Sequence, residues 1–501
     1  MKGVGYVFKW IGQGDGRAMP PTEARRDRKT FEIPGGRGSI VSMIEKAIAY
    51  IDANKARFIE ELGEFLKFPS ISSQSAHTND VVDCARWLKN HLENIGLEAR
   101  LIESRGHPIV EATCRSHGSG RSNRKLILYG HYDVQPVDSS DQWESPPFVA
   151  TIRDGFIFAR GATDDKGQLF AHVKAVESLV QACGRLPCDV RFLIEGEEES
   201  GGTSLQDYVK AQKASLAADA TVISDTAMYD ERTPAITYGL RGLLGMEVTV
   251  RVANRDLHSG AFGGAIGNPA VVLAQLIASC MGPSGNVLIP GFYDQVRPLE
   301  DWEKRNIQKL GFDEGKLVSE VGSAAGFGEK GYSALERMWA RPTFDVNGLL
   351  GGYTGKGIKT VIASRAAAKI SMRLVPDQEP KKVFELVARH IKSKCPAFAR
   401  VEIDGPLSAT LPVLFDVSSP AIQVAKDALK FGFGAEPVFI RCGGSIPVAN
   451  TFWRELQKPV VLMGFGLDSD GAHSSNERFK IESFINGAKT SAYFIEAFAA
   501  Q

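Results

Sequence analysis

Four short apolar runs in this 501-residue chain each lead into a residue that can bind a metal or move a proton. Leu126 to Tyr129 leads to His131, Val190 to Ile194 leads to Glu198-Glu199, and Thr221 to Ile223 leads to Asp225. Val460 to Met463 leads into a loop that reaches His473. A fifth candidate, Asp164, sits in the tight loop Arg160-Gly161-Ala162-Thr163-Asp164-Asp165-Lys166-Gly167, just before a helical pattern. Singly, each has an ordinary explanation. A lone histidine is usually a core or surface residue, Asp164 and Asp165 could cap the following helix, and Glu197 to Glu199 could be a solvated charge run. Jointly they need a common reason, and a divalent metal site supplies one. Imidazole and carboxylate suit zinc, manganese or cobalt, and the absence of paired cysteines argues against a thiolate site. Two histidines and three carboxylates suffice for two ions if one carboxylate bridges. Of two adjacent glutamates, one can ligate while its neighbour stays free as a base for an acidified water, which is the chemistry of amide hydrolysis.

Positioning such a set requires a sheet. The four runs read as buried parallel strands. Between the first two lies a helix with Leu169, Phe170, Val173, Val176, Leu179 and Val180 on one face. Alternating strands and helices predict an α/β sheet, whose function gathers at the carboxyl ends of the strands. Helical patterns begin near Ser42 and near Val81. The stretch from Gly239 to Gly405 differs. Met246 to Val252, Lys369 to Val375 and Val401 to Ile403 read as strands, and Ala270–Ser279 and Lys381–Lys394 as helices. That is a compact α+β unit inserted into the first. The Gly-rich segment Gly282 to Lys359 is expected to hold loops and short helices.

Composition narrows the function further. Hydrophobic residues are 43% and charged residues 24%, and Lys plus Arg (59) equals Asp plus Glu (59). A neutral chain lacks the cationic surplus that nucleic acid or an anionic membrane demands. No run of about 18 apolar residues is present. The seven cysteines are scattered and form no CxxC pair, which predicts a reducing, cytoplasmic setting without disulfides. Lys9 interrupts the apolar stretch Tyr6 to Ile11, so no signal peptide is expected.

Eight runs together resemble the M20-type metallopeptidases, most of all their dipeptidase branch: Gly130-His131-Tyr132-Asp133-Val134-Gln135-Pro136, Gly161 to Gly167, Glu197-Glu198-Glu199-Ser200-Gly201, Thr237-Tyr238-Gly239-Leu240-Arg241-Gly242, Asp256-Leu257-His258-Ser259-Gly260, Arg373-Leu374-Val375-Pro376, Gly443-Gly444-Ser445-Ile446-Pro447 and Gly471-Ala472-His473-Ser474. They span most of residues 42–490. The resemblance implies a zinc-peptidase-like catalytic domain with an inserted ferredoxin-like lid. An N-terminal tail (1–41) would precede the first catalytic segment (42–238). The lid and dimerisation domain (239–405) would follow, and the second catalytic segment (406–501) would complete the domain.

His131, Asp164 and Asp225 would then hold one ion, and Asp164, Glu199 and His473 the second, zinc first with manganese or cobalt as alternatives. Glu198 would be the general base and Asp133 would orient His131 or that base. The peptide Asp164-Asp165 would be cis. His258 would polarise the scissile carbonyl in the partner subunit's site of a homodimer. Arg373 would grip the substrate carboxylate as a bidentate fork, with Thr360 and Ser445 as further substrate contacts. The implied substrates are dipeptides or short peptides with a free C-terminal carboxylate. The alternative is an N-acyl-amino-acid amidohydrolase or a carboxypeptidase on the same scaffold. One departure bears on that choice: the dipeptidase branch usually carries a further histidine near the end of the lid, and Ile403 to Pro412 has none.

Overall fold

The computed structural model describes residues 42–117, 122–138 and 141–501, so the expected tail (1–41) lies outside the described residues. The chain opens with α1 (Met43–Ala53), started by a capping box: the Ser42 hydroxyl accepts from Glu45 N at 3.2 Å and the Glu45 carboxylate from Ser42 N at 2.8 Å. Next come α2 (Lys55–Leu66), α3 (Thr78–Asn94), β1 (Glu98–Ile102), β2 (Ile109–Cys114), β3 (Lys125–His131) and the hairpin β4 (Thr151–Arg153) and β5 (Phe156–Phe158). They lead to α4 (Lys166–Cys183), β6 (Asp189–Glu195), β7 (Ala220–Ile223) and β8 (Ala235–Leu240).

The main sheet runs β1-β2-β6-β3-β7 and is completed by β8 and by later strands: β15 (Val413–Leu414), β16 (Val438–Cys442) and β17 (Val460–Met463). Its centre is parallel, β3 pairing with both β6 and β7, and β17 with β7. Both flanks add antiparallel pairs, β1 with β2 and β17 with β8, so the sheet is mixed. The centre is covered on both faces, which is why β3 and β7 are continuous apolar runs rather than alternating ones. Helix α4 is buried from Lys166 through Leu179.

Between β8 and β15 the chain builds a second sheet in the order β11 (Asp345–Gly351), β13 (Arg365–Leu374), β9 (Gly242–Arg251), β14 (Arg400–Thr410). It is antiparallel throughout. Strand β9 alternates strictly between buried and half-buried residues, with helices Pro269–Cys280 and Pro380–Lys394 on its apolar face. Its core (Leu244, Val248, Leu273, Ile370, Val387) is separate from the main core. A short ladder joins β10 (Leu257–His258) to β12 (Val361–Ile362).

Two observations correct the sequence expectation. Strand β11 lies inside the segment expected to hold only loops and short helices. It is an exposed edge with an irregular register at Val346/Gly348, so no two-residue alternation marks it. Strand β14 continues well beyond Ile403, because Gly405-Pro406 interrupts its pairing between Asp404 and Ser408 without ending it.

Candidate active site

Parallel pairing brings the ends of β3, β6, β7 and β17 to one edge of the main sheet. His131 is the last residue of β3, Asp225 lies just past β7, Glu198 and Glu199 start the turn after β6, and His473 is in the loop after β17. The fifth candidate arrives on the loop before α4, and its two oxygens face two ways. Asp164 Oδ1 lies 3.1 Å from His131 Nε2, and Oδ2 lies 2.9 Å from His473 Nε2. His473 Nε2 is also 3.2 Å from Glu199 Oε2. Two sets of ligand atoms result, His131-Asp164-Asp225 and Asp164-Glu199-His473, each with its atoms within 4.8 Å of one another. Their donors, imidazole nitrogens and carboxylate oxygens sharing one aspartate, fit a pair of divalent ions.

Burial sets the charge states. Asp225 is pushed well above the usual carboxylate range by burial and then by Asp164. Burial also disfavours charge on Asp164, but the hydrogen bonds to His131 and His473 outweigh it and hold that carboxyl low. His473 is raised to about 11 by its hydrogen bonds to Asp164 and then Glu199. Burial raises Glu198 to about 7, opposed by His131 and reinforced by Glu199 and Asp164. Among the described residues no side chain hydrogen-bonds the Glu198 carboxylate, whereas Glu199 accepts from Gln135 Nε2 at 2.6 Å. The neighbouring glutamates thus differ in their partners.

Asp133 is fully buried. Its Oδ1 lies 3.3 Å from His131 Nδ1, and its Oδ2 accepts from Ser72 Oγ at 2.6 Å and Glu199 N at 3.1 Å. His131 Nδ1 itself donates to the Asp133 backbone carbonyl at 3.1 Å, so the carbonyl and carboxylate of one residue steady a member of each candidate set. The Asp164-Asp165 peptide is cis.

The residue that positions the Asp164 loop is not among the sequence candidates. Strand β18 (Arg478–Lys480) pairs with β5 and sets Glu477 beside Ala159, whose N–H donates to the Glu477 carbonyl at 3.1 Å. The buried Glu477 carboxylate takes Arg160 Nη1 (2.9 Å) and Gly161 N (2.8 Å) on one oxygen, and Thr163 N (2.9 Å) and Asp164 N (3.1 Å) on the other. The only sequence signal is its place four residues after His473. Ser72 escapes sequence reasoning for a similar reason, and Gln135 is visible there only as a member of the Gly130–Pro136 run, with no role attached.

The other candidates lie on the inserted unit and its junction. Arg373 ends β13 but one, with its N–H donating to Thr343 Oγ1 at 3.2 Å. Ser445 sits in the loop after β16. His258 and Thr360 meet at the β10–β12 ladder, where Ser259 N donates to the Thr360 carbonyl at 3.0 Å, and both are exposed. Among the described residues none of these four makes a hydrogen bond or ion pair with the two metal sets. A third cluster with metal-like spacing, Glu61-His91-Glu177, is filled by a lysine. Lys174 Nζ donates to Glu177 at 2.7 Å, lies 2.9 Å from His91 Nε2, and also bonds Glu61.

Residues 127–497 match the family model described as peptidase family M20/M25/M40. The chain belongs to this family. The M20 relatives include the Cys-Gly metallodipeptidase dug1 of Schizosaccharomyces pombe, 31% identical over 91% of this chain and 98% of that protein. Among solved M20 structures, human carnosine dipeptidase 1 has 31% identity, 92% and 99% coverage of the two chains and a TM-score of 0.76. The M20 metallo-carboxypeptidase Sso-CP2 of Sulfolobus solfataricus has 34% identity, 89% and 99% coverage and a TM-score of 0.77. This chain is thus an M20 metallopeptidase with the mixed-sheet fold of its family. Among the described residues no helix is long and apolar enough to cross a membrane.

Proposed function

We propose that the chain is a two-metal dipeptidase that hydrolyses dipeptides bearing a free C-terminal carboxylate. The observation that carries the reading is Asp164, whose oxygens divide between His131 and His473, beside Glu198, whose carboxylate bonds no side chain among the described residues. Its relatives include a Cys-Gly metallodipeptidase and a Beta-Ala-His dipeptidase. Two divalent ions, zinc by the histidine–carboxylate donor set, would supply Lewis acidity to water and to the scissile carbonyl.

In this reading His131, Asp164 and Asp225 hold one ion, and Asp164, Glu199 and His473 the other. Glu198 takes the proton from the attacking water and returns it to the departing amine. Among the described residues its carboxylate bonds no side chain, which leaves it free for both transfers. Asp133 keeps His131 and the Glu199 backbone in register. Arg373 and Ser445 receive the substrate carboxylate end, and Thr360 lies with His258 at the far end of the inserted unit.

We assign residues 239–405 as a lid that pairs with its twin. The support is the edge strand β11, which leaves Val346, Leu349 and Leu350 exposed, with Phe262 and Ile266 exposed near His258. A long apolar edge is a surface that wants a partner. His258 Nδ1 accepts from Gly260 N at 3.0 Å, which leaves Nε2 to donate in the neutral ring. An exposed donor of that kind suits the developing oxyanion in a twin's site. The seven free cysteines fit a reducing cytoplasm.

Metal analysis with a substrate panel tests the reading. Two ions per chain and faster turnover of dipeptides than of N-acetyl amino acids or longer peptides are expected. Faster release of acetate from N-acetyl amino acids, or of C-terminal residues from long peptides, would replace it with the deacylase or the carboxypeptidase reading.

A further inference from the structure

The link between the two sheets carries a half-buried cation that the reaction above does not use. Arg241 stands between β8 and β9, where the chain passes from the main sheet into the inserted one. Its backbone N–H donates to the Cys442 carbonyl at 3.2 Å and its Nε to the Gly443 carbonyl at 3.2 Å. Its Nη1 lies 3.5 Å from the Arg341 carbonyl. The side chain thus touches the loop that bears Ser445 on one side and the inserted unit on the other. A Cβ at Gly443 would stand 2.7 Å from Arg241 Nη2, so a side chain there would push the guanidinium aside.

Every one of these partners is a backbone carbonyl. Among the described residues neither Arg241 nor Arg373 forms an ion pair with a carboxylate. Asp345, whose field raises Arg241 less than Cys442 does, is exposed and accepts from Thr343 Oγ1 at 2.6 Å. Arg373 pairs with Leu243 across β13 and β9, so Arg241, two residues before Leu243, is its diagonal neighbour on the same face; burial, then the field of Arg373, lowers Arg241 to about 10. Nearby, Cys442 feels both guanidiniums as well. Half-burying a charge without a counter-charge removes part of its hydration, and a like charge beside it adds to the cost. A site built this way is stable when an anion arrives.

We propose that Arg241 supplies the second positive charge of the subsite that receives the substrate's C-terminal carboxylate, acting behind Arg373 while holding the Gly443–Ser445 loop in place. Arg241 is a positioning residue here, and the assignment rests on the dipeptidase reading above. Its function is preference for a carboxylate over a neutral end group, and that preference follows the charge rather than the shape of the side chain.

The test compares kcat/KM for alanyl-leucine and alanyl-leucinamide on one preparation each of wild type, Arg241→Gln and Arg241→Lys. The ratio of the two substrates does not depend on the fraction of folded enzyme. The wild type should prefer the free carboxylate strongly, and a wild type without that preference overturns the dipeptidase reading and this proposal together. With the wild-type preference in hand, Arg241→Gln should lower it about tenfold or more, chiefly through KM for alanyl-leucine, while Arg241→Lys stays within about threefold of wild type. Equal loss on both substrates in Arg241→Gln would make Arg241 a loop anchor only and overturn the proposal. If Arg241→Gln does not fold, Arg241→Lys decides alone: retained preference supports the role of charge, and lost preference in the folded protein refutes it.

Discussion

Replacing Glu477 by glutamine removes one charge and one acceptor from beneath the metal site without changing the side chain's size. Four donors converge on this carboxylate: Arg160 Nη1, Gly161 N, Thr163 N and Asp164 N, at 2.8–3.1 Å. The amide oxygen can keep two of them. The other two then face an NH2 group, and a buried N–H left without an acceptor costs about 1–3 kcal/mol. Arg160, whose side chain is 2% exposed, loses its counter-charge, and breaking a buried pair from one side costs about 3–5 kcal/mol. These terms share atoms and overlap, so about 3–5 kcal/mol in total is expected. Because this loop carries the proposed bridging ligand Asp164, metal affinity should fall about 10–100-fold as well. Denaturant unfolding of the metal-free protein reads the first effect, and zinc titration against a competing chelator the second. Hydrogen exchange localises them: the amides of Gly161, Thr163 and Asp164 should lose protection while those of helix Pro420–Phe433 keep theirs. Wild-type stability together with wild-type zinc affinity would refute the idea that Glu477 holds the loop.

Lys174→Met should destabilise the protein by about 3–5 kcal/mol in urea unfolding, since Glu177 and His91 lose the ammonium between them and only Arg57 remains to offset the glutamates. An unchanged midpoint would show that the network contributes little. Burial lowers His172 to about 3, between the hydroxyls of Ser491 (2.8 Å) and Ser224 (2.7 Å). The unfolded chain binds that proton near pH 6.5 and the native one does not, so the contribution is complete above about 6.5 and shrinks as the pH falls toward 3. The stability deficit of His172→Gln should therefore narrow by about 1.4 kcal/mol per pH unit between about 6 and 4, and a deficit constant with pH would contradict the shift. Refolding His258→Ala chains together with Glu198→Gln chains should restore activity in the mixed dimers, each of which has one complete site. Mixed dimers that stay inactive would show that His258 does not serve its twin.

Four of the five proposed metal ligands are legible in the sequence because each closes or follows an apolar run, and parallel pairing then forces those run ends to one edge. Asp164 is legible from its loop and its helix start. Glu477 is not, because what it does is accept hydrogen bonds from backbone N–H groups more than 300 residues earlier in the chain, which leave no trace in residue type. The core strands β3 and β7 announce themselves through burial on both faces. The edge strand β11 does not, since neither face is buried in the chain alone. Arg241 is visible as a member of a motif, but its isolation from any carboxylate is a property of the folded chain.

The central claim is that Glu198 moves the proton while its neighbours hold the metals. Glu198→Gln tests it most directly, with metal content and turnover measured on the same sample. Two ions per chain, as in wild type, with kcat reduced by roughly a thousandfold or more, is the predicted result. Near-normal turnover with both ions bound would contradict it.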